Sequence, residues 1–499
     1  MTGSLRSILL VLLFATSVCA KEASPPNIML VLTDDQGWTT LGCYGGKHVP
    51  TPNLDQLAAD GVRFTDAYVT SQCTPTRATL LSGQYTKRNG MWHVIPWYGC
   101  PWARVEEVPF VEQFPRDQPT IAAQLRQAGY TTGIAGKWHL NHGVDGNYNA
   151  LKPESAAHYG FDFAAPELPQ EHFQPGGDRG VNWLTDQALG FVEQNRERPW
   201  FFYLSHHMIH GKVVAPKQLE DKYRQQGYTD EGPNRAVYLA GLEAIDLSIG
   251  KLIAGLKELG EYEETVIIFL SDNGGIDWRL DHRSLEQPHP DAPKLAVDIY
   301  EYDNAPLRAG KGSIYEGGVR VPLIVSWPKK WPAGKVIQTP VHAVDLAPTC
   351  FQLAGHKPVE GHPLDGLDLS ELITKGTDPS FTDRPIYQYS PIYDLNWGLT
   401  PCASIRVGDF KLIEFFGDRF DGSHQYVPGH RIELYNLSRD LSEQNDLSQT
   451  MPAVRDKLLK QLRDGMHEAE VSVPGLNSHY QPARAFETTR AKPDWVAVP

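Results

Sequence analysis

The sequence predicts an α/β fold, with a large mixed, mostly parallel sheet between helices and a smaller C-terminal α+β domain. Residues 28–33 and 266–271 form short runs that are apolar on both faces, which is typical of strands buried between two helical layers. Helical patterns alternate with these runs, as in other α/β folds. After about residue 376 the segments become short and alternating, which favours a small antiparallel sheet.

Individual elements follow from apolar spacing and from turn residues. Helices are predicted at 54–60, 120–128 and 238–259, with a fourth at 452–466. C-terminal strands are predicted at 403–410, 411–415 and 433–437. The predicted organisation is a leader at 1–20, a main domain at 21–376, a C-terminal subdomain at 377–475 and an irregular tail at 476–499.

Length, composition and charge limit the class of protein. The chain has 499 residues, of which 41% are hydrophobic and 21% charged, as in ordinary globular proteins with one large core and a smaller one. The net charge of −14 argues against binding to nucleic acid or to an anionic membrane. An anionic substrate must therefore be attracted locally, and a bound cation can offset part of the negative charge.

The first twenty residues have the features of a secretory leader. Arg6 precedes the apolar run 8–14, and small residues end at Ala20. No run of the sequence approaches the roughly 20 apolar residues that a membrane helix needs. We therefore expect cleavage after Ala20, no membrane span, and secretion to the periplasm or to the extracellular medium.

The cysteine count draws attention to Cys73. Of six cysteines, Cys19 lies in the leader, which leaves an odd number, five, in the mature chain. In an oxidising compartment an odd cysteine suggests a thiol with its own chemistry, although none of the five has to pair. Taken alone, Cys73 also suits a buried structural cysteine.

The residues after Cys73 predict a helix. Thr74 suits the cap, Pro75 the first helical position, and Gly83 the end. Cys73 would then lie just outside a helix N-terminus, which attracts anions, and Arg77, one turn into the helix, adds a positive charge. A nucleophile that attacks an anionic ester would benefit from this position.

The same segment resembles the signature of type I sulfatases. Cys73-Thr74-Pro75-Thr76-Arg77 matches the family pattern Cys-x-Pro-x-Arg, and a Leu-x-Gly element follows within 80–83. Further family motifs occur in order at 27–36, 129–140, 271–275, 304–308, 321–322, 403–412 and 433–437. The resemblance implies a catalytic alkaline-phosphatase-like core at 21–376. It also implies that a formylglycine-generating maturation enzyme oxidises Cys73 to formylglycine (3-oxoalanine), whose hydrated aldehyde supplies the attacking oxygen.

Polar side chains follow both predicted core strands. Asp34 and Asp35 come after the first, and Asp272 and Asn273 after the second. Ligands bind beyond the carboxyl ends of parallel strands, so these side chains are expected to meet. Oxygen ligands alone suit a hard cation such as Ca²⁺ or Mg²⁺ rather than zinc, and the resemblance favours one calcium ion that also contacts modified Cys73. An isolated Asp pair is otherwise most often a loop or a cap.

Two basic residues follow the strand-like segment 131–135. Lys137 and His139 are two positions apart, so an extended backbone would put both side chains on one side. The resemblance implies that Lys137 binds a sulfate oxygen or the diol, and that His139 accepts the diol proton. For His139 the alternative is simple packing beside Trp138.

The resemblance also implies that His210 and Lys311 contact the ester and protonate the leaving alcohol. The register of His210 is less secure because Ile209 stands where the family often has Pro, so His207 is the runner-up. Lysines are usually solvated charges, but glycines on both sides of Lys311 suggest a close backbone approach.

Secretion and the aromatic residues at 91–102 suggest a sulfated carbohydrate as substrate. These aromatics suit a sugar-stacking wall and equally suit buried packing, and inserts at 276–303 and 416–430 can also shape the pocket. Two other functions stay open. One is a phosphonate or phosphate ester hydrolase of the same superfamily, and the other is a non-catalytic binder of sulfated glycans in which Cys73 stays a thiol.

Overall fold

The computed structural model describes residues 24–96, 99–143, 145–280, 297–421 and 425–496. The predicted leader at 1–20 lies outside these residues. The strands of the described chain are β1 (Asn27–Thr33), β2 (Val62–Tyr68), β3 (Thr131–Gly136), β4 (Phe163–Ala164), β5 (Trp200–Ser205), β6 (Thr265–Ser271), β7 (Trp278–Leu280), β8 (Val297–Tyr300), β9 (Arg320–Ser326), β10 (Lys335–Ile337), β11 (Val341–His342), β12 (Ile386–Ser390), β13 (Cys402–Val407), β14 (Phe410–Phe415), β15 (Asp418–Phe420), β16 (Tyr426–Pro428) and β17 (Arg431–Asn436).

The helices of the described chain are α1 (Pro52–Ala59), α2 (Cys73–Ser82), α3 (Thr86–Asn89), α4 (Ile121–Gln127), α5 (Val181–Gln194), α6 (Lys217–Gln225), α7 (Ala236–Glu258), α8 (Glu316–Val319), α9 (Leu346–Leu353), α10 (Ser370–Lys375) and α11 (Pro452–Glu468). No helix in this part of the chain is both long and apolar enough to cross a bilayer. The predicted helices at 120–128, 238–259 and 452–466 correspond to α4, α7 and α11.

The large sheet has the strand order β10-β2-β9-β6-β1-β5-β3-β4, with β11 also paired to β2. Strand β1 lies at its centre and runs parallel to both β5 and β6. Strand β9 runs antiparallel to β2 and to β6, so the sheet is mixed but mostly parallel. The predicted α/β fold is confirmed.

Burial on both faces explains the apolar run of β1. Ile28, Leu30 and Leu32 pack in the same core as helices α2, α4 and α9, whereas Met29 and Val31 point to the opposite core with α1, α5 and α7. Alternate side chains of a strand face opposite sides of the sheet, so a strand between two helical layers is apolar at every position. After Leu32 the chain becomes polar, at the sheet edge that carries the site.

The C-terminal sheet is antiparallel, with the order β12-β13-β14-β17, and α11 packs against β13 and β14. The chain after α11 runs back along 99–106, where Gly99 pairs with Thr489 and Val105 with Leu476. The subdomain boundaries near residues 376 and 475 stay predictions.

Buried ion pairs join the C-terminal sheet to the core. Lys411 on β14 contacts Glu316 at the start of α8 and Glu443, each at 2.9 Å, and Arg406 on β13 contacts Asp66 on β2 at 2.8 Å. Burial raises the pKa of Glu443 to about 7, although Lys411 lowers it. For Glu316, burial also raises the pKa, but Lys411 and nearby arginines outweigh it and bring the value to about 2. Lys411 therefore compensates two carboxylates at this interface.

We expect Lys411→Met to lower the free energy of unfolding by about 3–5 kcal/mol, because two buried carboxylates lose their shared cation. Lys460 is the matched control, since its side chain is 77% exposed, and Lys460→Met should cost at most about 0.5 kcal/mol. Urea unfolding at two pH values measures both effects. In the variant the carboxylates can bind protons in the folded state, so its deficit should be smaller at pH 5 than at pH 8. Equal losses for both variants would contradict the role given to Lys411.

Candidate active site

Cys73 is the first residue of α2 and is buried, with 1% of its surface exposed. Gly83 ends the helix in the left-handed conformation, as predicted. The prediction that Thr74 caps the helix is wrong, because Gln72 is the cap residue and the Thr74 hydroxyl donates instead to the His139 carbonyl oxygen at 2.9 Å. That bond ties the start of α2 to the loop after β3.

The acidic side chains meet where β1 and β6 end. The parallel register aligns Thr33 with Ser271, so the residues that follow each strand lie side by side. One ligand atom from each of Asp34, Cys73 and Asp272 lies within 4.8 Å of the others. The structure therefore brings the cysteine and the carboxylates into one buried cluster.

Each of the three carboxylates has one buried cation as its partner. These pairs are Arg77 with Asp272 at 2.7 Å, Lys137 with Asp34 at 2.5 Å, and Lys311 with Asp35 at 2.8 Å. The three positive and three negative charges cancel. A divalent cation would add two positive charges, so the site would then attract an anionic ester.

The carboxylates differ in how well their charge is compensated. Burial raises the pKa of Asp272 to about 7, and the charge of Asp34 raises it further against the opposing effect of Arg77. At Asp34, burial also raises the pKa, but Lys137 and the other nearby cations outweigh it and lower the value well below its usual range. Although each carboxylate has a cation, burial therefore leaves the charged form of Asp272 less stable than that of Asp34.

Two buried oxygens fit a hard cation. Asp34 Oδ1 and Asn273 Oδ1 accept no hydrogen bond from any residue that the structure describes. The Asn273 amide donates to Asp35 Oδ1 at 2.8 Å and to the Gly274 carbonyl, which fixes its carbonyl oxygen as the open ligand. Buried polar atoms are nearly always satisfied, and these two are of the type that Ca²⁺ and Mg²⁺ bind.

His139 is oriented as a base towards Cys73. Its Nδ1 lies 3.2 Å from Cys73 Sγ, and its Nε2 lies 3.0 Å from the Ile95 carbonyl oxygen. Because a carbonyl only accepts, Nε2 carries the proton and Nδ1 is the acceptor. Burial lowers the pKa of His139 well below its usual value, and Lys137 and Arg77 lower it further, so the ring is neutral.

The backbone around His139 is not extended. His139 has a φ of 52°, in the left-handed region, so the extended backbone predicted for Lys137 to His139 is wrong. Both side chains still face the cluster, because β3 ends at Gly136 and the chain turns there. The turn is stabilised by the bond from Thr74.

Tyr148 belongs to the site and was missed from the sequence. Its ring lies 4.2 Å from Lys137 Nζ and 4.5 Å, edge-on, from the His139 ring, and its hydroxyl is 3.5 Å from Asp34 Oδ2. An aromatic face attracts an ammonium group, so Tyr148 holds Lys137 in place. No motif pointed to it, since it lies in an irregular segment.

The two candidate histidines differ in access. His210 Nε2 lies 3.9 Å from Asp35 Oδ2, and 24% of its side chain is exposed. His210 also lines a cleft of about 340 Å³ together with Lys311 and Asp35. His207 is fully buried beside Phe173, and its ring nitrogens have no partner among the described residues. The structure thus puts His210, not His207, at the mouth of the site.

The aromatic segment at 91–102 does not form an open wall in its described residues. Trp92 is buried edge-on against Tyr389, and Trp102 is buried beneath the Arg484 guanidinium at 3.3 Å. Residues 97 and 98 lie outside the described chain. For these two tryptophans the packing alternative holds.

The five cysteines of the described chain form no disulfide.

Two family models match the chain. The model described as Sulfatase covers residues 26–356, and that of the N-sulphoglucosamine sulphohydrolase C-terminal region covers 310–471. Among curated proteins, arylsulfatase A of Homo sapiens is 33% identical over 92% of this chain and 90% of its own length. N-acetylgalactosamine-6-sulfatase of Canis lupus familiaris is 31% identical over 77% of this chain and 72% of its own.

Solved structures agree with these matches. Ps i-CgsB, crystallised in complex with k-i-k-neocarrahexaose, has a TM-score of 0.69 and 28% identity over 89% of this chain and 93% of its own. The phosphonate monoester hydrolase of Agrobacterium radiobacter shares the fold, with a TM-score of 0.63 and 20% identity over 90% of this chain and 96% of its own. From the family model and the relatives above 30% identity, we conclude that the chain belongs to the sulfatase family, whose members are sulfuric ester hydrolases.

Proposed function

We propose that this sulfatase removes sulfate from a sulfated carbohydrate, with formylglycine made from Cys73 and one bound calcium ion. The observation that carries the proposal is the position of Cys73, whose Sγ lies 3.2 Å from the acceptor nitrogen of His139 and within 4.8 Å of ligand atoms of Asp34 and Asp272. A carbohydrate substrate is supported by two similar proteins. One is named N-acetylgalactosamine-6-sulfatase, and the other was crystallised with k-i-k-neocarrahexaose.

The side chains divide the chemistry between two sides of the cluster. When present, formylglycine supplies a hydrated aldehyde hydroxyl for attack on sulfur, and calcium supplies charge that favours the ionised hydroxyl. His139 Nδ1 accepts a proton from a group at the position of Cys73 Sγ. Lys137 and Arg77 hold the carboxylates in place and add positive charge beside the sulfate.

Proton donation to the leaving alcohol falls to Lys311 and His210, which face the cleft. Burial lowers the pKa of Lys311, but the charge of Asp35 outweighs it and raises the pKa above its usual value, so Lys311 keeps its proton. Burial and the charges of Lys311 and Lys137 lower the pKa of His210. A sulfate anion bound beside His210 favours its charged form, which lets it share the proton transfer.

The state of Cys73 is the first prediction of this mechanism. Peptide mass spectrometry of active protein should detect formylglycine at position 73, and Cys73→Ala should reduce sulfate release to background. Cys350→Ala is the control, because Cys350 is equally buried but lies in α9. Active protein with an unmodified thiol at position 73 would overturn the mechanism.

Calcium binding can be tested without turnover. Ca²⁺ should raise the Tm of protein stripped with EDTA. At 100 times the Kd, the free energy of unfolding should increase by about 2.7 kcal/mol. Asn273→Ala should abolish most of this shift, whereas Asp117→Asn, at an exposed acidic residue, should keep it. A shift that is unchanged in Asn273→Ala would remove that residue from the metal site. A larger shift with Zn²⁺ than with Ca²⁺ would contradict the proposed ion.

The leaving-group role separates His210 from His207. His210→Ala should lower kcat for a sulfated sugar by about 10²–10⁴-fold, the usual contribution of a proton donor, but should lower it much less for 4-nitrophenyl sulfate, whose leaving group needs no proton. His207→Ala should change both rates by the same factor, since any effect would come from packing. The reverse pattern would assign the role to His207.

Rates on matched esters test the competing functions. The sulfatase proposal expects a higher kcat/KM for 4-nitrophenyl sulfate than for the corresponding phosphate or phenylphosphonate. Preference for a phosphorus ester would favour the hydrolase of the same superfamily. Binding of sulfated sugars without turnover, in protein with modified Cys73, would favour a non-catalytic binder.

A further inference from the structure

A second cleft lies beside the active-site cleft, where the β7–β8 hairpin and the C-terminal sheet approach the core. It has a volume of about 230 Å³, and its lining includes Trp278 and Tyr300 of the hairpin together with Trp397. Trp397 also lines the active-site cleft, so the two clefts adjoin at this ring. We call the second space the Trp278–Trp397 cleft.

The position of Trp397 relates this cleft to the reaction. Lys311 Nζ lies 5.1 Å from the centre of the Trp397 ring and pairs with Asp35 on its other side. In the proposed function Lys311 faces the leaving alcohol, while Cys73 lies on the side of the attacking oxygen. The Trp278–Trp397 cleft therefore lies beyond the leaving alcohol, where the rest of the carbohydrate must extend.

Both tryptophan rings lie against bare backbone. A Cβ atom on Gly398 would lie 2.6 Å from the Trp278 ring, and one on Gly312 would lie 2.2 Å from Trp397 Cβ. Each glycine also has a positive φ, of 64° and 81°, which other residues rarely adopt. The backbone thus fixes both rings at the cleft wall while leaving them partly exposed.

The cleft also offers polar groups. The Arg308 guanidinium lies 3.7 Å over the Tyr315 ring, and its Nη1 donates to the Glu443 carbonyl oxygen at 2.9 Å and to the Tyr435 hydroxyl. Arg308 lines the cleft, and its guanidinium can only donate hydrogen bonds. Asp277 lines the same space, and a carboxylate can accept hydrogen bonds from hydroxyl groups.

Aromatic faces with a few oriented polar groups are the usual surroundings of a bound sugar ring, which is apolar on its C–H faces and polar at its rim. We propose that the Trp278–Trp397 cleft binds the sugar unit linked to the sulfated one, so that the protein acts preferentially on sulfated oligosaccharides. This inference rests on the proposed function and extends it from one sugar to a chain.

The test compares substrates of different length. A panel of sulfated galactan and glycosaminoglycan oligosaccharides is first screened for sulfate release, and the best oligosaccharide is then measured against its own sulfated monosaccharide and against 4-nitrophenyl sulfate. The wild-type protein should have a kcat/KM at least tenfold higher for the oligosaccharide than for the monosaccharide, mostly through a lower KM.

Trp278→Ala should lower kcat/KM for the oligosaccharide about tenfold more than for 4-nitrophenyl sulfate, the size expected for one aromatic stacking contact. Trp495→Ala is the control, since Trp495 is 44% exposed and stacks on His479 in the C-terminal tail. Gly398→Ala is a second variant that keeps Trp278 but displaces its ring. It should likewise lower kcat/KM for the oligosaccharide more than for 4-nitrophenyl sulfate.

The outcomes separate the assignment of the Trp278–Trp397 cleft from the proposal that the substrate is a sulfated carbohydrate. Turnover of the monosaccharide with no advantage for the oligosaccharide, or equal losses on all substrates in Trp278→Ala, would overturn the cleft assignment and leave the sulfatase mechanism intact. Release of sulfate from 4-nitrophenyl sulfate but from no sugar in the panel would instead contradict the carbohydrate substrate itself.

Discussion

Compensation of buried negative charge is the constraint on which the site depends. The parallel pairing of β1 with β6 puts Asp34 and Asp272 side by side in the interior, where unpaired carboxylates would cost several kcal/mol each. Their cations come from distant parts of the chain, Arg77 from α2 and Lys137 from the loop after β3. The same pairs that neutralise the charge therefore also fix these segments around Cys73.

The sequence predicted strands most reliably where both faces of the strand are buried. The strands β1 and β6 were predictable because every side chain along them is buried, and the polar residues at their ends stood out against these apolar runs. Helices α4 and α7 were predictable because spacing and a following glycine agree. The general position of the site followed from strand ends, which is a rule of α/β folds rather than of individual contacts.

What the sequence did not predict depends on contacts between distant segments. The Thr74 hydroxyl suits a cap locally, but it bonds to His139, which no local pattern can foresee. The left-handed backbone at His139 and the position of Tyr148 over Lys137 have the same origin. The sequence left open whether the aromatics at 91–102 stack on a sugar or pack in the core, and Trp92 and Trp102 are buried, because composition does not tell which tryptophans a core will bury.

The burial of Cys73 also limits when it can be modified in the proposed mechanism. In the folded protein its side chain is almost wholly enclosed, with His139 against the sulfur atom and the carboxylate cluster behind it. If Cys73 is oxidised by a second enzyme as proposed, that enzyme would have to reach the side chain before α2 docks. A molecule that folds first would then keep its thiol and stay inactive.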